Sequence, residues 1–330
     1  MAQPTNTYST YDLGGASGIG KINREDLVAA IYNVDPTETP FFSMIAKKTK
    51  ATATLHEWNT DTLGTAAGSS LAQIEGDDTA AEGQAVPVRL TNTTVQLSRV
   101  VVVSGTQQAV TTVEGVGREL ARQLVKKGKE LRRNIEANLL ENNAGAAGND
   151  TTARETAGIE TWLVTNTSET GTNATGIGTN ARTIATGTNI RAFTEAQLKD
   201  VLNQAFTSGG NPNYLMTTAF NKQVLSSFAG NSTRFEDAED KKIITSIDVY
   251  VSDFGELRCL PNRFQNLTGT TVHTVYVLED DYWGVAELVS ITEKPLAEAG
   301  FYQKRGLYWE GALEARNEKS SGAVFDLSVS

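Results

Sequence analysis

One amphipathic helix constrains this chain more than any other feature. Between residues 116 and 141, Val116, Leu120, Leu124, Leu131, Ile135 and Leu139 recur at spacings of four or seven, an apolar stripe along one side of a helix. At 1.5 Å rise per residue that helix is roughly 39 Å long. Gly128 falls where the i+4 step from Leu124 would land. A glycine inside a helix costs about 1 kcal/mol relative to alanine, so close approach of another backbone is expected there. The other faces carry Arg118, Arg122, Lys126, Lys127, Lys129, Arg132 and Arg133 against only Glu119 and Glu130. In a chain with 29 basic and 39 acidic residues and a net charge of −10, that concentration of cations is unusual. Two readings stand. One is a solvated helix face. The other is attraction to a polyanion or to acidic segments of neighbouring subunits, which would give salt-sensitive contact without base readout.

Ahead of the helix the pattern is extended. Alternation runs through Thr52, Thr54, His56 and Trp58 and resumes at 91–103, where Thr, Val and Leu dominate. A Gly/Ala-rich loop at 64–83 with Glu75, Asp77, Asp78 and Glu82 separates the two runs. The pair reads as a projecting hairpin, which cannot bury both of its faces by itself. Residues 1–20 are small and polar and read as a mobile arm; Leu27, Val28, Ile31 and Tyr32 then sit at helical spacing. Pro36 and Pro40 break that helix and lay Phe41, Phe42, Met44 and Ile45 against the rest of the fold or a neighbouring chain.

Beyond the helix, residues 142–193 are rich in Thr, Asn and Gly and read as a surface insertion of short strands and turns. A globular module begins at Thr194, where Thr194 and Gln197 match a capping box ahead of Leu198, Val201, Leu202, Ala205 and Phe206. A strand at 214–216, a helix at 218–228 and strands at 248–251, 256–260, 272–278 and 282–291 follow. The segments 306–316 and 323–328, joined by a turn at 317–322, read as a terminal hairpin. The fold class is α+β, with one long helix and several separated sheets.

Composition excludes much chemistry. One cysteine, Cys259, allows no internal disulfide and no Cys-cluster metal site, and two histidines, His56 and His273, leave little for His-based catalysis. No stretch is long and apolar enough to span a membrane, and residues 1–15 lack a secretory pattern. The run from Gly115 to Leu120 opens a helix after a β run, but the third glycine of a dinucleotide-binding turn is replaced by Leu120. His56 beside Glu57 reads as a half-buried strand histidine, because no nucleophile accompanies it. Glu236, Asp237, Glu239 and Asp240, and likewise Glu279, Asp280 and Asp281, read as solvated acidic loops. Catalytic, cofactor and metal residues are therefore expected to be absent.

Several blocks in order carry a family resemblance. NVDPTETPFFSMIAKKTKATATLHEWNTDTL, VVVSGTQQAV, ARQLVKKGKELRRNIEANLL, NPNYLMTTAFNKQVLSSFAG, DVYVSDFGELRCLPNRF, VYVLEDDYWGVAEL and LEARNEKSSGAVFDL, from about Ile22 onward, resemble major capsid proteins of tailed bacteriophages. The resemblance implies the Hong Kong 97-type capsid fold. Residues 1–48 would be the N-terminal arm, 49–105 the extended loop, and 106–141 with 290–330 the peripheral domain on its spine helix. Residues 142–193 would be an insertion and 194–289 the axial domain. It further implies a non-enzymatic subunit that self-assembles into pentamers and hexamers of an icosahedral head in the host cytoplasm, enclosing double-stranded DNA held without sequence specificity. A separate scaffolding protein, a portal and a decoration protein are the implied partners. Phe41, Phe42, Met44 and Trp58 would meet neighbouring subunits, and Arg122, Lys126, Lys129 and Arg133 would form an inner or intersubunit basic face. A tail or fibre protein would show repeats or heptads, and neither is visible.

Overall fold

A computed structural model describes residues 35–45, 48–64, 72–76, 78, 83, 85–110, 119–170, 177–228, 249–265 and 272–329. The readings made for residues 1–34, for Val116 and Arg118, for most of the acidic loop and for Glu236–Asp240 lie outside them. Among the described residues the α-helices are α1 (Pro40–Met44), α2 (Gly105–Ala109), α3 (Glu119–Leu140), α4 (Ile159–Trp162), α5 (Glu195–Thr207) and α6 (Ala219–Ser226). The strands are β1 (Lys48–Lys50), β2 (Leu55–Thr60), β3 (Val88–Thr93), β4 (Val95–Ser104), β5 (Thr167–Ser168) and β6 (Tyr214–Thr217). They continue with β7 (Val249–Ser252), β8 (Gly255–Pro261), β9 (Val272–Leu278), β10 (Trp283–Pro295), β11 (Tyr302–Ala315) and β12 (Gly322–Ser328).

These strands form a four-stranded sheet in the order β1-β10-β11-β4, a six-stranded sheet in the order β5-β12-β9-β6-β8-β7, and the β2-β3 ribbon. In β4 the two-residue period of the strand sets the faces even through four consecutive valines: Val95, Val101 and Val103 are buried, whereas Val100 and Val102 on the opposite face are exposed. The long helix α3 lies along β4 and β11 with Leu131, Ile135, Leu139 and Leu140 buried. One core runs through α1, α3, α4 and the four-stranded sheet, and includes Trp162, Trp283 and Trp309. A second, smaller core joins Leu198, Val201 and Leu202 of α5 to Val275, Val277, Val324 and Leu327 under the six-stranded sheet. The capping box is formed, Thr194 N–H donating to Gln197 Oε1 over 3.1 Å.

Three expectations are corrected. The terminal segments do not pair with each other: β11 pairs with β10 and β4, while β12 pairs with β9 and β5 in the other sheet. Strand propensity and a turn specify two strands but not their partners, and the apolar faces here are matched to different layers. A boundary at 289/290 accordingly falls inside β10, and β12 sits with the strands of the 194–289 segment. The 142–193 segment is no surface insertion, since Ile159 and Trp162 are fully buried in the larger core. Gly178 closes that segment at φ +68, where a Cβ would stand 2.6 Å from the Trp162 ring. Nor does another backbone approach Gly128, for a Cβ there would meet nothing within 4 Å.

The same segment carries a buried ionic knot. Asp326, at φ 61 within a bulge of β12, accepts from Arg182 Nη1 at 2.9 Å, Ala185 N–H at 3.1 Å and Thr170 N–H at 3.0 Å. Glu160 lies near the same guanidinium, 3.9 Å from its Nε, and accepts from Thr274 Oγ1 and Tyr276 OH at 3.0 Å each. Burial pushes the Glu160 carboxyl up, against the pull of Arg182.

Two outcomes are expected. Arg182→Ala strands Asp326 and Glu160 in the interior, so the subunit should lose about 3–5 kcal/mol of stability in denaturant titration. Gly128→Ala should raise subunit stability by about 1 kcal/mol in the same measurement, because the helix gains propensity and nothing is displaced.

Candidate functional site

Three surfaces singled out by the sequence can be located: the apolar arm, the hairpin and the basic helix face. The arm is seated inside this chain. Pro40 occupies the first turn of α1 and has no N–H, so the next two N–H groups are the first that need acceptors. Both find Glu136 of α3, Phe41 N–H donating to Oε1 at 2.8 Å and Phe42 N–H to Oε2 at 2.6 Å. Phe41 is fully buried and Phe42 is 6% exposed. The Phe42 ring meets Trp309 edge-on at 6.5 Å, with Lys48 Nζ 4.9 Å and the Arg132 guanidinium 5.8 Å from its centroid. Lys48 is itself paired with Glu287 at 2.7 Å. Burial works against the Glu287 charge, but hydrogen bonds from Lys48, Trp309 and Ser290 outweigh it and hold that carboxyl below its ordinary value.

Met44 and Trp58 are half-buried and pack against the same core. Trp58 Nε1 donates to Ala315 O at 2.9 Å, and its ring lies 5.3 Å from that of Trp162. The reading of these four side chains as subunit contacts is therefore corrected for Phe41 and Phe42, whose rings are covered by the chain's own helix and sheet. Trp58 and Met44 likewise spend their covered surface inside the subunit. Sequence shows that an apolar cluster must be covered, but not by which chain.

The hairpin root is fixed equally firmly. Asn92 of β3 donates to Leu313 O at 2.7 Å and accepts from Ala157 N–H at 2.9 Å. Beyond the root, β2 and β3 pair antiparallel from Leu55↔Thr93 to Thr60↔Val88, with Trp58 and Leu90 packed against the larger core on one face. His56 is on this ribbon, 3.3 Å from Glu314 Oε2, and joins no catalytic group. The apolar residues left open are Leu55, Leu63, Ile74, Val86 and Val88, with Leu63 99% and Val86 83% exposed. These were not singled out from sequence. The available signal was a two-stranded ribbon with no third element to hide its second face.

On α3 the expected basic face of Arg122, Lys126, Lys129 and Arg133 divides. Arg122 makes a two-pronged contact with Glu119 (2.9 and 2.5 Å), which holds the Glu119 carboxyl down at about 2. The Arg133 guanidinium lies 5.6 Å from the Phe264 centroid, and Lys127 pairs with Glu130 at 2.6 Å. Lys126 and Lys129 are exposed on one side of the helix, three residues apart, and neither forms an ion pair among the described residues. Among the described residues no group of three or more His, Cys, Asp or Glu could hold a metal ion, and no helix is long and apolar enough to cross a membrane.

The chain thus combines a long helix laid on a four-stranded sheet, a two-stranded ribbon and a six-stranded sheet. The solved structures agree in fold. The capsid asymmetric unit of cyanophage A-1(L) matches with a TM-score of 0.62 at 14% identity, covering 93% of this chain and 98% of that one. The capsid of a native GTA particle gives 0.60 at 14% identity, covering 94% and 98%. The capsid of Myoviridae phage XM1 gives 0.55 at 11% identity, covering 91% and 96%. The Hong Kong 97-type architecture expected from sequence is consistent with these neighbours. In sequence, the chain is 27% identical over 365 residues to the major capsid protein of Escherichia phage Phieco32, covering 98% of each. The family model of the SU10 major capsid protein matches residues 3–328, and the chain belongs to that family. It is a major capsid protein of a tailed phage, with a structural and not an enzymatic role. The match begins well ahead of Ile22, where the resemblance became readable block by block.

Because Phe41 is fully buried inside the subunit, Phe41→Ala should lower the stability of the subunit itself by about 3–5 kcal/mol in denaturant unfolding. Impaired assembly with unchanged subunit stability would place its contact between chains instead.

Proposed function

We propose that this subunit self-associates into pentamers and hexamers of an icosahedral head that is assembled in the host cytoplasm and encloses double-stranded DNA. The observation that carries this reading is the ribbon. Leu55 and Val88 lie open on a two-stranded element fixed at its root, and Leu63, Ile74 and Val86 lie open in the described parts of the connection between its strands. A ribbon of that kind gains its stability where a neighbouring copy covers it. In this reading residues 1–48 form the N-terminal arm, 49–105 the extended loop, and α3 the spine helix under the four-stranded sheet. The six-stranded sheet with α5 and α6 supplies the axial domain. A separate scaffolding protein, a portal and a decoration protein complete the set of partners.

Lys126 and Lys129 are assigned to contact with packaged DNA or another polyanion, since neither forms an ion pair with a carboxylate among the described residues. Purified protein should form capsomers, shells or tubes in light scattering and negative-stain micrographs. A sharp monomer at every concentration, with and without a scaffolding protein, counts against assembly. Lys126→Gln with Lys129→Gln keeps helix propensity and removes two charges. DNA-filled particles of that variant should be less heat-stable than wild type at low salt. The deficit should vanish toward 1 M salt, where screening acts over about 3 Å instead of about 8 Å at physiological ionic strength. Equal stability at low salt leaves a solvated face.

A further inference from the structure

One carboxylate joins three parts of the chain that are distant in sequence. Glu136, fully buried on α3, accepts from Phe41 and Phe42 of α1 and, at Oε1, from Asn262 Nδ2 at 2.6 Å. Asn262 directly follows β8 and is built into the rim of the six-stranded sheet. Its N–H donates to Thr217 O at 2.8 Å, its Oδ1 accepts from Phe264 N–H at 2.8 Å, and its Nδ2 lies 3.2 Å from Met216 Sδ. Arg133, one turn before Glu136 on α3, lies over the Phe264 ring at 5.6 Å, adding a second tie between helix and rim.

The charged groups around Glu136 are few. Arg132 attracts it from its own helix and stacks over Phe42. The arm contributes only peptide N–H groups and the rim only a neutral amide. Lys48 stands across the Phe42 ring and is committed to Glu287. Among the described residues no cation forms an ion pair with Glu136, so its charge is met by N–H donors from two separate parts of the fold.

We infer that Glu136 is a clasp coupling the seat of the arm to the position of the six-stranded sheet. A shift of the sheet relative to α3 withdraws Asn262 from Oε1. The carboxylate then turns or stays under-satisfied in the interior, and α1 loses the fixed acceptor on which its first turn depends. Conversely, release of α1 takes Phe41 N–H from Oε1 and Phe42 N–H from Oε2, and leaves Asn262 as the one remaining donor among those named, on a carboxylate that is then able to turn. Arm and sheet therefore hold their present arrangement together.

Hydrogen–deuterium exchange of this chain, whether it is recovered as a monomer or as an assembly, tests this. Asn262→Ala should accelerate exchange about tenfold at 41–45, residues that Asn262 does not touch, as well as at 261–265, while α5 stays unchanged. Glu136→Gln, of nearly the same size, should accelerate both segments too. Acceleration by Asn262→Ala confined to 261–265, or by Glu136→Gln confined to 41–45, overturns the coupling. A uniform rise through α3, α5 and β12 also overturns it, because both residues would then only support the fold. The readout is internal to the subunit and does not depend on the geometry of the particle.

Discussion

The buried carboxylate of Glu136 is the interaction on which the rest of the structure depends. Taking an ionised group out of water is costly unless donors replace the water it loses. Burial pushes the carboxyl up, and the N–H groups of Phe42 and Phe41, the Asn262 amide and the attraction of Arg132 oppose that push. The arrangement also settles a backbone problem. A five-residue helix that begins with proline has little intrinsic stability, and α1 exists because an acceptor on another helix is waiting for its first free N–H groups.

Polar nodes of this kind compensate for a modest apolar content. Hydrophobic residues are 39% of the chain, and the buried ones are divided between two cores, a larger one shared by both sheets and a smaller one that joins the six-stranded sheet to α5. Where the cores thin out, specific buried polar contacts hold the segments: Asn92 at the hairpin root, Glu136 under the arm, and Asp326 with Arg182 and Glu160 beneath the 142–193 segment. Each is satisfied only in one arrangement, so each contributes specificity of position as well as stability. The result is a subunit whose two-stranded ribbon is fixed at its base and leaves Leu55 and Val88 exposed.

Identity of 27% to the Phieco32 capsid protein over nearly the whole length, and of 14% to solved capsids that share the fold, fits this division. A helix stripe and an alternating strand tolerate many substitutions that keep size and polarity. The buried polar nodes tolerate few, because removal of one partner strands the other.

The sequence by itself determined the elements whose signal is local. The stripe from Leu124 to Leu139 placed α3, alternation placed β2 and β4, a β-rich run placed β9, and Thr194 with Gln197 placed the start of α5. The ordered blocks from Ile22 to Leu327 carried the resemblance to phage capsid proteins. Tertiary structure alone decided the partners. That β12 leaves β11 for the other sheet, that Trp162 is core, that Phe41 and Phe42 are covered within the subunit, and that Gly128 faces open space all depend on which layers meet. It also divided the basic face: Arg133 comes to lie over the Phe264 ring, whereas Arg122 is held by Glu119 one turn away on the same helix and Lys126 and Lys129 form no ion pair among the described residues. Periodicity is a property of neighbours along the chain, whereas burial and pairing are properties of residues tens to hundreds of positions apart, brought together only when the helix, the two sheets and the ribbon are packed.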